Sequence, residues 1–340
     1  MKLNSDIKRR FDGTFGFFVL SIAFLVTVIC SLRFGSVEMS AKEFFNALLL
    51  KTDNTNRLII YSVRLPRTLA AILAGIGLSV SGVLLQGVTD NSLASPNVIG
   101  VNSGAGFGVV ICLAVIPFSN VSLRFALLPV FAFVFAFSTT VCVIAISSGA
   151  GGSKTSILLA GIAVTALLNA FISAITLINT DILTAYNSFS IGGFSGIGYR
   201  ELLIPACIIT LSIIVATAFS RKIDILCLGA DAATLLGVRV KLVSVLCIML
   251  ASAAAAAVVS FAGLLGFVGL IVPHIARGLF GSKTLRLIPS SAIIGATLTT
   301  LADLVGRVLV APSEIPVGIM MAIVGAPFFI FLLFKKRGEV

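Results

Sequence analysis

Residues 242–276 read LVSVLCIMLASAAAAAVVSFAGLLGFVGLIVPHIA, an unbroken run without Lys, Arg, Asp or Glu. As one α-helix, at ~1.5 Å per residue, the run would be ~50 Å long, far beyond the ~30 Å hydrocarbon core of a bilayer. It is therefore expected to form two membrane-spanning helices, with a turn near the glycines 263–269. Charge-free runs long enough to span recur at 14–32, 68–88, 98–119, 125–147, 155–180, 202–220, 287–302 and 315–334, which brings the count to ten. Composition agrees: of 340 residues 58% are hydrophobic and only 11% charged, with a mean hydropathy of +1.16. So few charges cannot cover the surface of a soluble chain of this length. The expectation is an all-α integral membrane protein, one domain over residues 1–340, with about ten transmembrane helices.

The net charge of +11 follows from topology rather than from nucleic-acid binding. With ten spans and both termini cytoplasmic, fifteen of the 24 Lys and Arg fall on the cytoplasmic side, as the positive-inside rule requires. Lys8, Arg9 and Arg10 precede the first apolar run, but no small-residue cleavage site follows, so an uncleaved first helix is expected. Nine basic residues, Arg64, Arg67 and Arg307 among them, are left at the external side, where topology gives them no reason to be. The six cysteines are scattered singly without CxxC spacing, which indicates neither a zinc site nor a disulfide framework. Gly100, Gly104 and Gly108, and likewise Gly192 and Gly196, stand at the four-residue spacing that lets membrane helices approach closely.

Between the spans, VEMSAKEFFNALLL in the external segment 34–57 has the spacing of a short amphipathic interfacial helix. Residues 181–200 are too polar and glycine-rich to span and predict a short external helix with turns. Segment 221–241 is the one sizeable charged cytoplasmic stretch between spans, and it reads as two short helices broken at Gly229 and Gly237.

Motifs for nucleotide chemistry fail on inspection. In GAGGSKTS, 149–156, Ser153 stands where a phosphate loop needs glycine before the lysine, and no strand precedes it. GVNSGAGFG, 100–108, misses the third glycine of GxGxxG. His274 has no carboxylate or cysteine at useful spacing, so a structural or interface role is expected. Asp303 and Arg307 share a helix face and are open to two readings: a coupling-ion site of a secondary carrier, or a local ion pair near the external end of a span. Arg64 and Arg67 precede a span that Pro66 starts without wasting a backbone donor. Their guanidiniums suit either lipid phosphates reached by snorkelling or bidentate pairing with an acidic partner.

RLPRTLAAILAGIGLSVSGVLLQ (64–86) followed by DNSLASPNVIGVNSGAGFG (90–108) resembles the permeases of the iron-siderophore, haem and cobalamin family, the FecCD-type or type II ABC importers. The match continues in LLAGIAV (158–164) and LGADAATLLGV (228–238). It is strongest in GLLGFVGLIVPHIARGLFG (263–281), SSAIIGATLTTLADLVGR (290–307) and EIPVGIMMAIVGAPFFIFLL (314–333). It covers nearly the whole chain, in order.

The resemblance implies a type II importer permease fold of ten helices, in a multi-pass protein of the bacterial cytoplasmic membrane. It implies pairing with a second permease, identical or paralogous, two cytoplasmic ATPase subunits and an extracytoplasmic substrate-binding protein. The chain itself would bind no cofactor, ATP and Mg being used by the ATPases, and would have no catalytic role; its cargo would be a chelated metal, an iron(III)-siderophore first, with haem or cobalamin as alternatives. Arg64, Arg67 and Arg307 would dock glutamates of the binding protein. Residues 224–238 would form the coupling helices, with Gly229, Asp231, Ala232, Leu236 and Gly237 seated against the ATPase. Gln86, Asn91, Ser95 and Asn102 are candidates for the pathway or its gate. The chain departs from the family at Ser92, where proline is usual, at SFSIGG (188–193), where a tryptophan is usual, and at Ala230, often glutamate.

Overall fold

A computed structural model describes residues 14–37, 39–49 and 55–337. Fourteen helices account for most of them: α1 (Thr14–Arg33), α2 (Ala41–Leu48), α3 (Thr55–Thr89), α4 (Val101–Val115), α5 (Val121–Gly149), α6 (Lys154–Ile178), α7 (Thr180–Ile191), α8 (Tyr199–Ala218), α9 (Ser220–Leu226), α10 (Ala230–Leu235), α11 (Val240–Ala262), α12 (Val268–Phe280), α13 (Thr284–Val308) and α14 (Val317–Arg337). Among the described residues, seven are long and apolar enough to cross a membrane, and α4, α12 and α14 are shorter apolar helices. These ten correspond to the ten expected spans. Lys8, Arg9 and Arg10, on which the expected cytoplasmic N-terminus rests, lie outside the described residues.

The run 242–276 is two helices, as its length demands. Gly263 ends α11 with φ +70°, a conformation that Cβ-bearing residues rarely adopt, and Phe267 opens α12 in the left-handed region at φ +66°. The span expected over 98–119 is shorter than its apolar run. Pro96 begins a 3₁₀ turn over Pro96–Ile99, and Gly100, at φ +84°, turns the chain into α4. Ser40 caps α2 reciprocally with Glu43, giving the short helix expected in 34–57 its start.

Helix α3 is the axis of the bundle, packed against α13, α11 and α12. Between membrane helices lipid removes the hydrophobic driving force, so close backbone contact and hydroxyl bonds hold them together. A Cβ on Gly75 would lie 2.2 Å from the Gly295 carbonyl oxygen, and one on Gly82 would lie 1.9 Å from that of Gly269. Thr299 Oγ1 donates to the Ala71 carbonyl at 2.7 Å, and Ser81 Oγ to that of Ala251 at 2.6 Å. The glycines of α4 work in the same way: Cβ atoms at 104 and 108 would strike the carbonyl oxygens of Phe135 and Phe131 on α5. Gly192 and Gly196 lie on no helix face: both stand in the connection after α7, with φ +72° and +75°. Gly192 still permits a close backbone approach, since a Cβ there would lie 2.5 Å from the Leu264 carbonyl oxygen, whereas one on Gly196 would meet nothing within 4 Å.

Gly82→Val is expected to cost ~1–3 kcal/mol by overpacking. Thermal unfolding of detergent-purified protein should show a midpoint several degrees lower. Gly278→Ala, where an added Cβ meets nothing within 4 Å, should leave the midpoint unchanged.

Candidate functional site

One end of the bundle gathers five charged side chains from three segments. Arg64 closes a π-helical stretch, Ile59–Arg64, that begins the long helix α3. Pro66 offers no N–H to the turn before it, and the Leu65 N–H bonds instead to the carbonyl of Ile60, five residues back. Three residues on from Arg64, Arg67 projects from the first α-helical turn.

The Arg64 guanidinium donates to the carbonyls of Leu32 at 3.0 Å, of Val37 at 2.5 Å, and of Arg33. A cation thus caps the C-terminus of α1, where carbonyls are unpaired and the helix dipole is negative. Arg67 grips Asp303 of α13 through Nε at 3.1 Å and Nη2 at 2.9 Å, and turns Nη1 to Glu314 at 2.6 Å. Arg307, one turn beyond Asp303, places Nε 3.1 Å from Asp303 Oδ2, close enough for an ion pair but without hydrogen-bond alignment. Its Nη2 donates to Ser31 Oγ at 2.7 Å. Glu314, in the connection between α13 and α14, accepts from Ser36 Oγ. Partial burial alone pushes the Glu314 carboxyl up, but the bonds from Ser36 and Arg67 outweigh it and hold the group below the usual carboxylate range.

The three arginines expected to dock a partner are thus together, as the sequence suggests, but they do not project freely. Arg64, Arg67 and Arg307 are 3%, 7% and 2% exposed, and Asp303 is 1% exposed. A buried guanidinium must be paired, and here the carboxylates come from within the chain. Of the two readings of Asp303 and Arg307, the local ion pair is the one realised, with Arg67 as an unforeseen third member. A cavity of about 460 Å³ opens beside the Arg67–Glu314 contact, bounded also by Ser188, Phe189, Gly193 and Pro316. Glu314 was legible only as part of the EIPVG match. The available signal was charge balance, since three arginines in apolar surroundings call for more acid than Asp303 alone.

At the opposite end, α9 and α10 are the two short helices expected in 221–241. Gly229 (φ +108°) and Gly237 (φ +76°) make the breaks, and Asp231 occupies the first turn of α10. Asp224 accepts from the Thr284 N–H at 2.8 Å, fixing α9 to the start of α13. Ala232 is half-buried, whereas Leu228, Leu235 and Leu236 are 67%, 89% and 61% exposed.

Of the gate candidates, Gln86 and Asn91 border one cavity of about 370 Å³, with Asp90, Cys227 and Arg277. Gln86 donates to the Gly269 carbonyl at 3.3 Å and accepts from Arg277 Nη1. Asn91 Oδ1 accepts from the Leu93 N–H at 2.9 Å, which closes the turn despite Ser92. Ser95 precedes the 3₁₀ turn and Asn102 lies in the first turn of α4; neither borders that cavity. His274 packs its ring edge-on to Phe328 of α14, centroids 6.1 Å apart.

Residues 23–335 match the profile of the FecCD transport family. The chain belongs to that family. It is 33% identical over 325 residues to the hemin transport system permease protein HmuU of Yersinia pestis, covering 94% of this chain and 97% of that one. It is 34% identical to the Fe(3+)-citrate import system permease protein YfmD of Bacillus subtilis, covering 97% and 98%. A solved inward-facing metal-chelate type ABC transporter superposes with a TM-score of 0.82 at 30% identity, over 94% of this chain and 98% of that one. The all-helical permease fold implied by the sequence is thus the fold of a known transporter. The family consists of ABC importer permeases, which are transport components.

Proposed function

We propose that this FecCD-family chain is the permease subunit of an ABC importer that takes an iron(III) chelate from an extracytoplasmic binding protein into the cytoplasm. A second permease completes the pathway, and two ATPase subunits drive it. The observation that carries the reading is end-to-end similarity to permeases for haem and ferric citrate. An exposed leucine patch at one end of the fold and a guanidinium cluster at the other support it. The leucines of α9–α10 would seat in the ATPase, and Arg64, Arg67 and Arg307 would meet acidic side chains of the binding protein. The pathway would run past Gln86 and Asn91, with Ser95 and Asn102 close to it in sequence. Asp303 is held by two guanidiniums, which argues against its serving as the exchangeable site of an ion-coupled carrier.

Proteoliposomes containing the permease with its ATPase subunits decide the matter. Uptake of radiolabelled ferric citrate, ferric hydroxamate or haem should require internal ATP and external binding protein. Uptake driven by a proton or sodium gradient without ATP would overturn the proposal.

A further inference from the structure

Within the external cluster, Arg67 is shared unequally. Asp303 takes its Nε and Nη2, is 1% exposed, and is held a second time by Arg307. Glu314 takes only Nη1, its side chain is 29% exposed, and it stands in a non-helical connection between α13 and α14. Among the described residues, its one other hydrogen bond comes from Ser36, itself only half-buried. The 460 Å³ cavity bounded by Arg67, Glu314 and Pro316 leaves room for an incoming side chain beside the Arg67–Glu314 contact. Among the described residues, three guanidiniums, Arg64, Arg67 and Arg307, meet two carboxylates, Asp303 and Glu314.

The connection that holds Glu314 is wired by backbone bonds to other segments. Ile315 N–H donates to the Gly306 carbonyl at 3.0 Å, and Gly318 N–H to that of Gly192 at 3.2 Å. Gly193 N–H in turn donates to Ala262 at 2.8 Å, and Leu264 N–H to Phe189 at 3.2 Å. The start of α14, the end of α7 and the α11–α12 turn therefore meet at one point, a few residues from Glu314.

We propose that Glu314 is an internal occupant of a carboxylate-binding subsite on Arg67, and that an acidic side chain of the docked binding protein displaces it. The inference rests on the docking reading above and adds a competitor to it. One charge-assisted hydrogen bond replaces another on Nη1, while Asp303 keeps Arg67 in place. Once released, the Glu314 connection no longer ties α14 to the segment around Ser36, so occupancy of the subsite is communicated to the α7–α14 junction.

The test is the affinity of the cognate binding protein for the full permease–ATPase complex in nanodiscs, by biolayer interferometry at fixed ionic strength. Glu314→Gln keeps the shape and the acceptor but removes the competing charge, and should tighten binding about tenfold. Ser36→Ala, which only loosens Glu314, should tighten it by a smaller factor and carries the test if the first variant is poorly folded. Arg67→Gln should weaken binding in both the parent and the Glu314→Gln background. Unchanged or weaker binding by Glu314→Gln and Ser36→Ala, with Arg67→Gln still defective, would overturn the displacement and leave docking intact. Normal binding by Arg67→Gln would overturn docking and displacement together.

Discussion

Asp303→Ala should remove the protein from the membrane rather than merely slow it. The carboxylate is the shared counter-charge of Arg67 and Arg307, and its loss leaves two guanidiniums with exposures of 7% and 2% facing each other. Breaking a buried ion pair from one side typically costs about 3–5 kcal/mol, a large share of the stability of an ordinary domain. Glu314 cannot compensate, because it reaches Arg67 on the opposite edge of the guanidinium and bonds Ser36 with its other oxygen. Asp303→Asn, which preserves shape without charge, should fail nearly as badly. Combining Asp303→Ala with Arg307→Met should recover part of the loss, since one orphaned cation is then gone. Membrane abundance and the thermal midpoint of purified protein are the readouts. Parental stability in Asp303→Ala would show that the cluster is not a buried network. By the same logic, Glu at position 67 would set three carboxylates together, so docking is better probed by the neutral Arg67→Gln than by charge reversal.

What could be read in advance divides along sequence separation. The charge-free runs gave ten spans because bilayer thickness acts on contiguous residues, and the split of 242–276 followed from length alone. Gly229 and Gly237 marked the breaks around α10 because a left-handed turn is a local demand. Asp303 and Arg307, four residues apart, were legible as a pair for the same reason. The contacts of Arg67 with Asp303 and Glu314 bridge 236 and 247 residues, and no local periodicity encodes them. Gly192 and Gly196 share no helix face because the same spacing also arises in a turn: positive φ selects glycine at both, and only at Gly192 does close backbone packing select it as well. The exposure of the three arginines was likewise hidden. Topology placed them at the external end, but only the packed bundle reveals that its own acids cover them.

The second large effect lies at the opposite end of the bundle, on α10. Leu235→Asp with Leu236→Asp is expected to abolish ATP-driven uptake while leaving the permease folded. The two side chains are 89% and 61% exposed, so little of the chain's own packing is lost, and the thermal midpoint should match the parent. Between Gly229 and Gly237 the chain presents a short rigid knob: Val238 N–H returns to the Ala233 carbonyl at 2.9 Å, and Gly237 N–H to that of Thr234 at 3.0 Å. Ala233 is buried beneath it. Apolar side chains held on such a knob are the kind of anchor that concentrates binding energy, with truncations costing about 2 kcal/mol or more. A carboxylate there must also be desolvated on docking, so the paired substitution should lower the affinity for the ATPase at least about thirtyfold. Co-purification of the ATPase with tagged permease measures the affinity, and proteoliposome uptake measures the consequence. Motion at the knob has a direct route into the bundle, because Asp224 in the preceding helix α9 accepts from the Thr284 N–H that opens α13. That helix ends at the charged cluster with Asp303 and Arg307, so one helix joins the proposed ATPase seat to the proposed docking site. Parental uptake and co-purification in the Leu235→Asp, Leu236→Asp variant would sink the assignment of α10 as the seat.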